Sequence, residues 1–223
     1  MSDDLAYYSM PRRDIVELIP EQVNRALEIG CGVGNTLLML KKAGIVRWAG
    51  GVEIVPAPAA KAREQLDQVW EGNAEILDLE ADIEPGSLDL VILMDVLEHL
   101  VDPWKMINRI MPWLSANGVI IANVPNVRNK NIVRKLVLGG RWDYEDEGLM
   151  DRTHLRWFTR ATMRELMECS GLTVTEIRPV PALKPWKNKW FYTKLTFGFL
   201  RDFWPSSFMM RAERSSGERS SNA

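Results

Sequence analysis

Three glycines fall within the seven residues Glu28-Ile29-Gly30-Cys31-Gly32-Val33-Gly34. Glycine lets a backbone turn sharply and lets a ligand approach main-chain atoms closely. The spacing is GxGxG, with Asn35 at the sixth position. That departs from the GxGxxG of dinucleotide sites and disfavours an NAD enzyme. Glu28 would crowd a diphosphate, whereas it suits a cationic amine. Glu53 stands 21 residues after Gly32, followed by Ile54. At about that offset a carboxylate can accept both hydroxyls of an adenosine ribose. Asn73 and Ala74 follow Gly72 and bring a side-chain amide to an adenine edge. Asp95 and Val96 end the apolar run Leu88 to Met94, and ligands of open α/β sheets sit at such carboxyl ends. Each group alone has a plainer reading: packing glycines, a solvated strand end, acids at a helix start. Four of them in sequence make coincidence the poorer account.

Proton transfer has few candidates, because the chain holds two histidines, His99 and His154. Imidazole titrates near neutrality, so either can act as a base. Asp95-x-x-Glu98-His99 also puts three ligand types on one turn, with His154 as a fourth. The sequence alone assigns no metal, and the base and metal readings both stay open.

These residues need a scaffold, and short apolar runs alternating with helical patterns supply one: a parallel sheet covered by helices. Strands are expected at Arg25–Ile29, Val46–Ile54, around Val69-Trp70, and at Leu88–Met94, Val119–Val124, Leu172–Val180 and Ser207–Glu213. Leu88–Met94 is apolar almost throughout, as a strand buried on both faces requires. Helices are expected from Ser9 to before Pro20, and over Asn35–Ala43, Pro56–Val69, Asp102–Leu114, Asn131–Leu138 and Thr159–Ser170.

Together these residues resemble the class I S-adenosylmethionine-dependent methyltransferases, in particular the small-molecule enzymes of ubiquinone and polysaccharide biosynthesis. LEIGCGVGN resembles the family's first motif and GVEIV its second. LDLVILMDVLEHL resembles the motif after strand four, and MPWLSANGVIIANVPN the strand-five motif. The resemblance spans roughly residues 8–180. It implies a Rossmann-like α/β fold: a seven-stranded sheet, mostly parallel with the last strand antiparallel, and helices on both faces. It implies S-adenosylmethionine as cofactor and S-adenosylhomocysteine as product. Gly30, Gly32 and Gly34 would surround the methionyl and ribose part, Glu53 the ribose, Asn73 and Ala74 the adenine, with Asp95 and Val96 as floor. Relatives often carry Asp where Asn73 stands. Asp151 to Thr159 is similar to a segment that covers the active site in quinone and polysaccharide methyltransferases. Asp95-x-x-Glu98-His99 resembles the ExxEH of ubiquinone-type O-methyltransferases and small-RNA 2′-O-methyltransferases, with Asp for the first Glu.

The expected activity is O-methylation of a small molecule, a quinone precursor or a glycan. N-methylation, methylation of RNA ends, or a non-catalytic adenosine-binding scaffold are the alternatives. Tyr7, Tyr8, Arg12, Asn126, Arg152 and Trp157 are candidate acceptor lining.

The expected organisation is one domain over residues 1–214, with a lid at 141–158, an aromatic insert at 183–205 and a disordered tail from 215. Eight aromatics and several lysines between Pro185 and Pro205 suit a peripheral membrane or homodimer contact. The formal net charge of −2 argues against broad nucleic-acid binding. Two cysteines without a CxxC pair indicate neither a disulfide framework nor a zinc site. No signal peptide or transmembrane run stands out, so the expected location is the cytoplasm.

Overall fold

A computed structural model describes residues 9–180 and 201–215. Tyr7, Tyr8, most of the aromatic insert and the tail from 216 lie outside the described residues. The strands are β1 (Val23–Ile29), β2 (Val46–Glu53), β3 (Gln68–Glu71), β4 (Leu88–Met94), β5 (Leu114–Pro125), β6 (Leu172–Val180) and β7 (Ser207–Arg214). They form one sheet in the order β3-β2-β1-β4-β5-β7-β6. The pairs from β3 to β5 are parallel, and β7 runs antiparallel to both β5 and β6, as expected. The helices are α1 (Asn35–Lys42), α2 (Pro56–Arg63), α3 (Pro103–Ile110), α4 (Lys130–Gly139) and α5 (Arg160–Glu168).

Alternating side chains of β4 feed two separate cores. Val91 and Leu93 join Ile107, Ile110 and Leu166 from α3 and α5. Leu90 and Ile92 join Leu37 and Leu40 of α1, Ala62 of α2, and Ile15 and Leu18 of the N-terminal segment. This burial on both faces explains the continuous apolar run of β4.

Several boundaries move for local reasons. The expected first helix is a 3-10 turn at Arg13–Leu18, too short between Pro11 and Pro20 for an α-helix to propagate. α2 stops at Arg63, well before Val69. There the Asp67 carboxylate accepts from the Ala49 N–H at 2.7 Å and Asp67 N–H donates to the Ala49 carbonyl, drawing the chain onto the sheet edge as β3. α3 ends at Ile110 because Pro112 follows, leaving a 3-10 turn at Met111–Trp113. β5 begins at Leu114 rather than Val119, with a register shift where it faces Leu88 and Leu90. Among the described residues no helix is long and apolar enough to cross a membrane.

Ile92 is fully buried at the centre of the sheet, whereas Val137 on α4 is 71 % exposed. Ile92→Ala should lower unfolding stability by about 2–5 kcal/mol in urea titrations. Val137→Ser should stay within about 0.5 kcal/mol of the parent.

Candidate active site

β1 and β4 are neighbours in the sheet, paired as Glu28 with Ile92 and Ile29 with Leu93. Their carboxyl ends therefore lie side by side, one leading into the glycine loop and the other into Asp95. The chain leaves β1 toward β2 on one side and β4 toward β5 on the other, so a crevice opens between them.

Gly30, Gly32 and Gly34 all have positive φ, at 74°, 55° and 84°. A Cβ on Gly30 would lie 2.6 Å from Val96 Cγ2, so loop and β4 end press together where both glycine and Val96 were expected to line the site. Gly34 caps α1 in the left-handed conformation. Glu53 closes β2 and is buried. Its carboxylate accepts from the Gly32 N–H at 2.8 Å and the Val55 N–H at 2.9 Å, fixing the loop to the second strand. A carboxylate has about four acceptor positions, so lone pairs remain for a ligand. Ile54, next along, is 58 % exposed.

Asn73 and Ala74 follow β3. Asn73 Oδ1 accepts from the Glu75 N–H at 2.8 Å, which fixes its side chain in the turn after β3. Ala74 is buried, and its carbonyl accepts from Arg109 Nη1 at 2.7 Å, so α3 braces this turn.

Asp95 has φ 55°, the one positive value of a non-glycine among the described residues. Aspartate tolerates this region better than most residues, and such strain concentrates at functional sites. Asn123 donates to its Oδ1, and Arg12 Nη1 donates to its Oδ2 at 2.6 Å. Arg12, expected to line the acceptor pocket, is thus held at Asp95, and its backbone N–H donates to Thr36 Oγ1. Nothing in the local sequence marks it, since the contact spans 83 residues.

Glu28 is buried with Oε2 unbonded. Burial pushes its carboxyl up to about 8, against the pull of the nearby Arg12 guanidinium. The folded value exceeds the unfolded one, so this group favours folding most below its ordinary pKa, and that contribution is lost as pH rises through about 8.

Beyond Asp95 a 3-10 turn, Leu97–His99, carries Glu98 and His99. Segment 141–158 returns over it. The Glu98 carbonyl accepts from Leu155 N–H at 2.8 Å and Arg156 N–H at 3.0 Å, which brings His154 to His99. The two rings meet edge to face with centroids 4.7 Å apart. Ligand atoms of Glu98, His99 and His154 all lie within 4.8 Å of one another. Asp95 is not part of that group; it is held by Arg12. Glu98 is 1 % exposed and neither carboxylate oxygen has a partner. Burial raises its pKa well above the carboxylate range, helped by the Asp95 charge. His154 is buried with Nδ1 unbonded, and burial with the neighbouring His99 lowers its pKa.

The remaining expected lining residues part ways. Trp157 packs edge-on against Trp142, centroids 5.5 Å apart, and beside Tyr144. Arg152 is exposed and pairs with Asp146 at 2.6 Å. Asn126 is buried with its polar atoms consumed. Its amide donates to the Asp202 and Pro205 carbonyls and its oxygen accepts from the Arg128 N–H, so it clamps β5 to the segment before β7. Both cysteines are free.

A methyltransferase domain family matches residues 6–177. A ubiquinone biosynthesis O-methyltransferase of Xanthomonas campestris is 26 % identical over 178 residues, 74 % of this chain and 69 % of that one. A trans-aconitate 2-methyltransferase of Escherichia coli is 28 % identical over 123 residues, 53 % of this chain and 46 % of that one. A SAM-dependent methyltransferase from Archaeoglobus fulgidus shares the fold with TM-score 0.63 at 19 % identity, covering 87 % of each chain. A methyltransferase from Haloferax volcanii, solved with its Trm112 activator, superposes with TM-score 0.64 at 17 % identity over 93 % of this chain and 89 % of that one. The sheet order, the glycine crevice and the family match agree: the chain belongs to the methyltransferase domain family and is a class I S-adenosylmethionine-dependent methyltransferase.

Proposed function

We propose that the protein methylates a hydroxyl of a small molecule, with S-adenosylmethionine held in the crevice between β1, β2 and β4. The observation that carries the reading is the cluster of Glu98, His99 and His154 beside Asp95. A hydroxyl must lose its proton as the methyl group arrives, and a positioned base assists that loss. A neutral amine already carries its lone pair, so a base matters most for a hydroxyl acceptor. The similarity to a ubiquinone biosynthesis O-methyltransferase supports a quinone precursor, and a glycan is the companion choice. The aromatic faces of Trp142, Tyr144 and Trp157 on the covering segment suit a ring-shaped acceptor.

In this reading the zwitterionic end of the cofactor is met by opposite charges. Glu28 takes the ammonium, and Arg12, which pairs with Asp14 and Asp95 in the free protein, would turn to the carboxylate. Gly30, Gly32 and Gly34 give close backbone approach, Glu53 receives the ribose, and Ile54, Asn73 and Ala74 flank the adenine. Asp95 and Val96 form the floor. Transfer from the sulfonium is an in-line displacement, so much of the protein's task is alignment.

The same cluster fits a divalent cation. A buried carboxylate with both oxygens unbonded calls for a proton or a positive partner. One carboxylate and two imidazoles suit a divalent transition metal. Glu98, His99 and His154 would hold it, and a bound cation would lower the pKa of a coordinated hydroxyl.

His99→Ala and His154→Ala should each reduce turnover by about 10²–10⁴-fold, read as S-adenosylhomocysteine release with hydroxylated acceptors. S-adenosylhomocysteine binding should change little in calorimetry. A panel in which only amines turn over would overturn the O-methylation reading. In the cation reading, chelation abolishes activity and divalent metal restores it; activity that survives EDTA assigns the cluster to proton transfer alone.

Burial raises the Glu28 carboxyl to about 8, and an ammonium beside it favours the carboxylate. Cofactor binding at pH 7 should therefore release most of a proton, measured as a binding enthalpy that varies with buffer ionisation enthalpy. Glu28→Gln should remove that dependence and weaken binding by about 10–100-fold.

A further inference from the structure

Thr153 and Asp151 lie outside every group assigned so far, yet they make the bonds that reach His99. Thr153 Oγ1 donates to Asp151 Oδ1 at 2.7 Å, and the Thr153 N–H donates to the same oxygen at 2.7 Å. His99 Nδ1 lies 3.1 Å from Thr153 Oγ1 and 3.3 Å from the Thr153 carbonyl oxygen. A hydroxyl has one proton, and here Asp151 takes it, so Oγ1 faces His99 as an acceptor. A carbonyl oxygen can only accept. Both neighbours of Nδ1 are therefore acceptors, and Nδ1 must carry the ring proton. The lone pair of the neutral imidazole is left on Nε2.

The Asp151 end is well suited to anchor this chain. Its Oδ1 receives both the backbone N–H and the hydroxyl of Thr153. An ionised Asp151 is acceptor-only, which fixes the direction of the Thr153 hydroxyl.

We infer that Asp151 and Thr153 are positioning residues that select the Nδ1–H tautomer of His99, leaving Nε2 as the nitrogen available to an acceptor proton or a cation. This rests on the role given to His99 in methyl transfer, but the tautomer itself is independent of turnover. It also gives the covering segment a second task. The segment that brings His154 to the cluster carries, one and three residues earlier, the groups that prepare the other imidazole.

With two histidines in the chain, His154→Gln leaves the ring signals of His99 alone. In histidine-labelled protein at alkaline pH, long-range ¹H–¹⁵N correlation spectra should show His99 mainly as Nδ1–H. Thr153→Val should lower that share, Thr153→Ser should restore it, and Asp151→Ala should lower it by releasing the hydroxyl proton toward Nδ1. With His154 present, Thr153→Val should cut kcat about 10–100-fold, the usual cost of losing a group that orients another. KM and S-adenosylhomocysteine affinity should stay within about twofold of the parent, which general damage to the fold would not allow. Nε2–H as the main form in the parent, or a share unchanged in Thr153→Val, would overturn the inference. A share that responds as described while His99→Ala retains full turnover would uphold the tautomer selection and remove His99 from the reaction.

Discussion

The pairing of β1 with β4 is the constraint on which the rest of the molecule depends. These strands are separated by two others in sequence, so they meet only after the chain has crossed from β1 out to the sheet edge and returned. Their register places the glycine loop and Asp95 at one level. Val96 then packs into the space that Gly30 leaves, and Glu53 ties the same loop to β2. A side chain at Gly30 would separate these pieces, and with them the floor and the wall of the crevice.

Carboxylates crowd this end of the sheet, and the fold treats each differently. Glu53 is satisfied by two backbone N–H groups. Asp95 has a cation and an amide. Glu28 is left with one oxygen unbonded, and Glu98 with both. Burying an unpaired carboxylate is costly, and the group responds by holding its proton. The unsatisfied acids are thus the places where a positive ligand gains most.

Much of this was legible in the residue order. The apolar run of β4 and the glycines after β1 announce their places because burial on both faces and positive φ each demand particular residue types. The carboxylates ending β2 and following β4 and the two histidines were marked by residue type, and the fold sets His99 against His154. What the sequence did not reveal are pairings made across distance. Arg12 and Asn126 were both read as acceptor lining, and only the fold sets the first on Asp95 and gives the amide of the second to Pro205 and Asp202. Thr153 and Asp151 sit in plain view beside His154, but their partner is 54 residues away. Helix ends moved where a single local bond outweighed propensity, as Asp67 did for α2.

The double acceptance at the Glu98 carbonyl has a mechanical meaning. Leu155 and Arg156 hang from the backbone of the residue whose side chain lies in the cluster. Lifting segment 141–158 to admit an acceptor would break both bonds, carry His154 away from His99, and take Thr153 from its ring. The same two backbone bonds thus hold the covering segment and the histidine pair in one assembly.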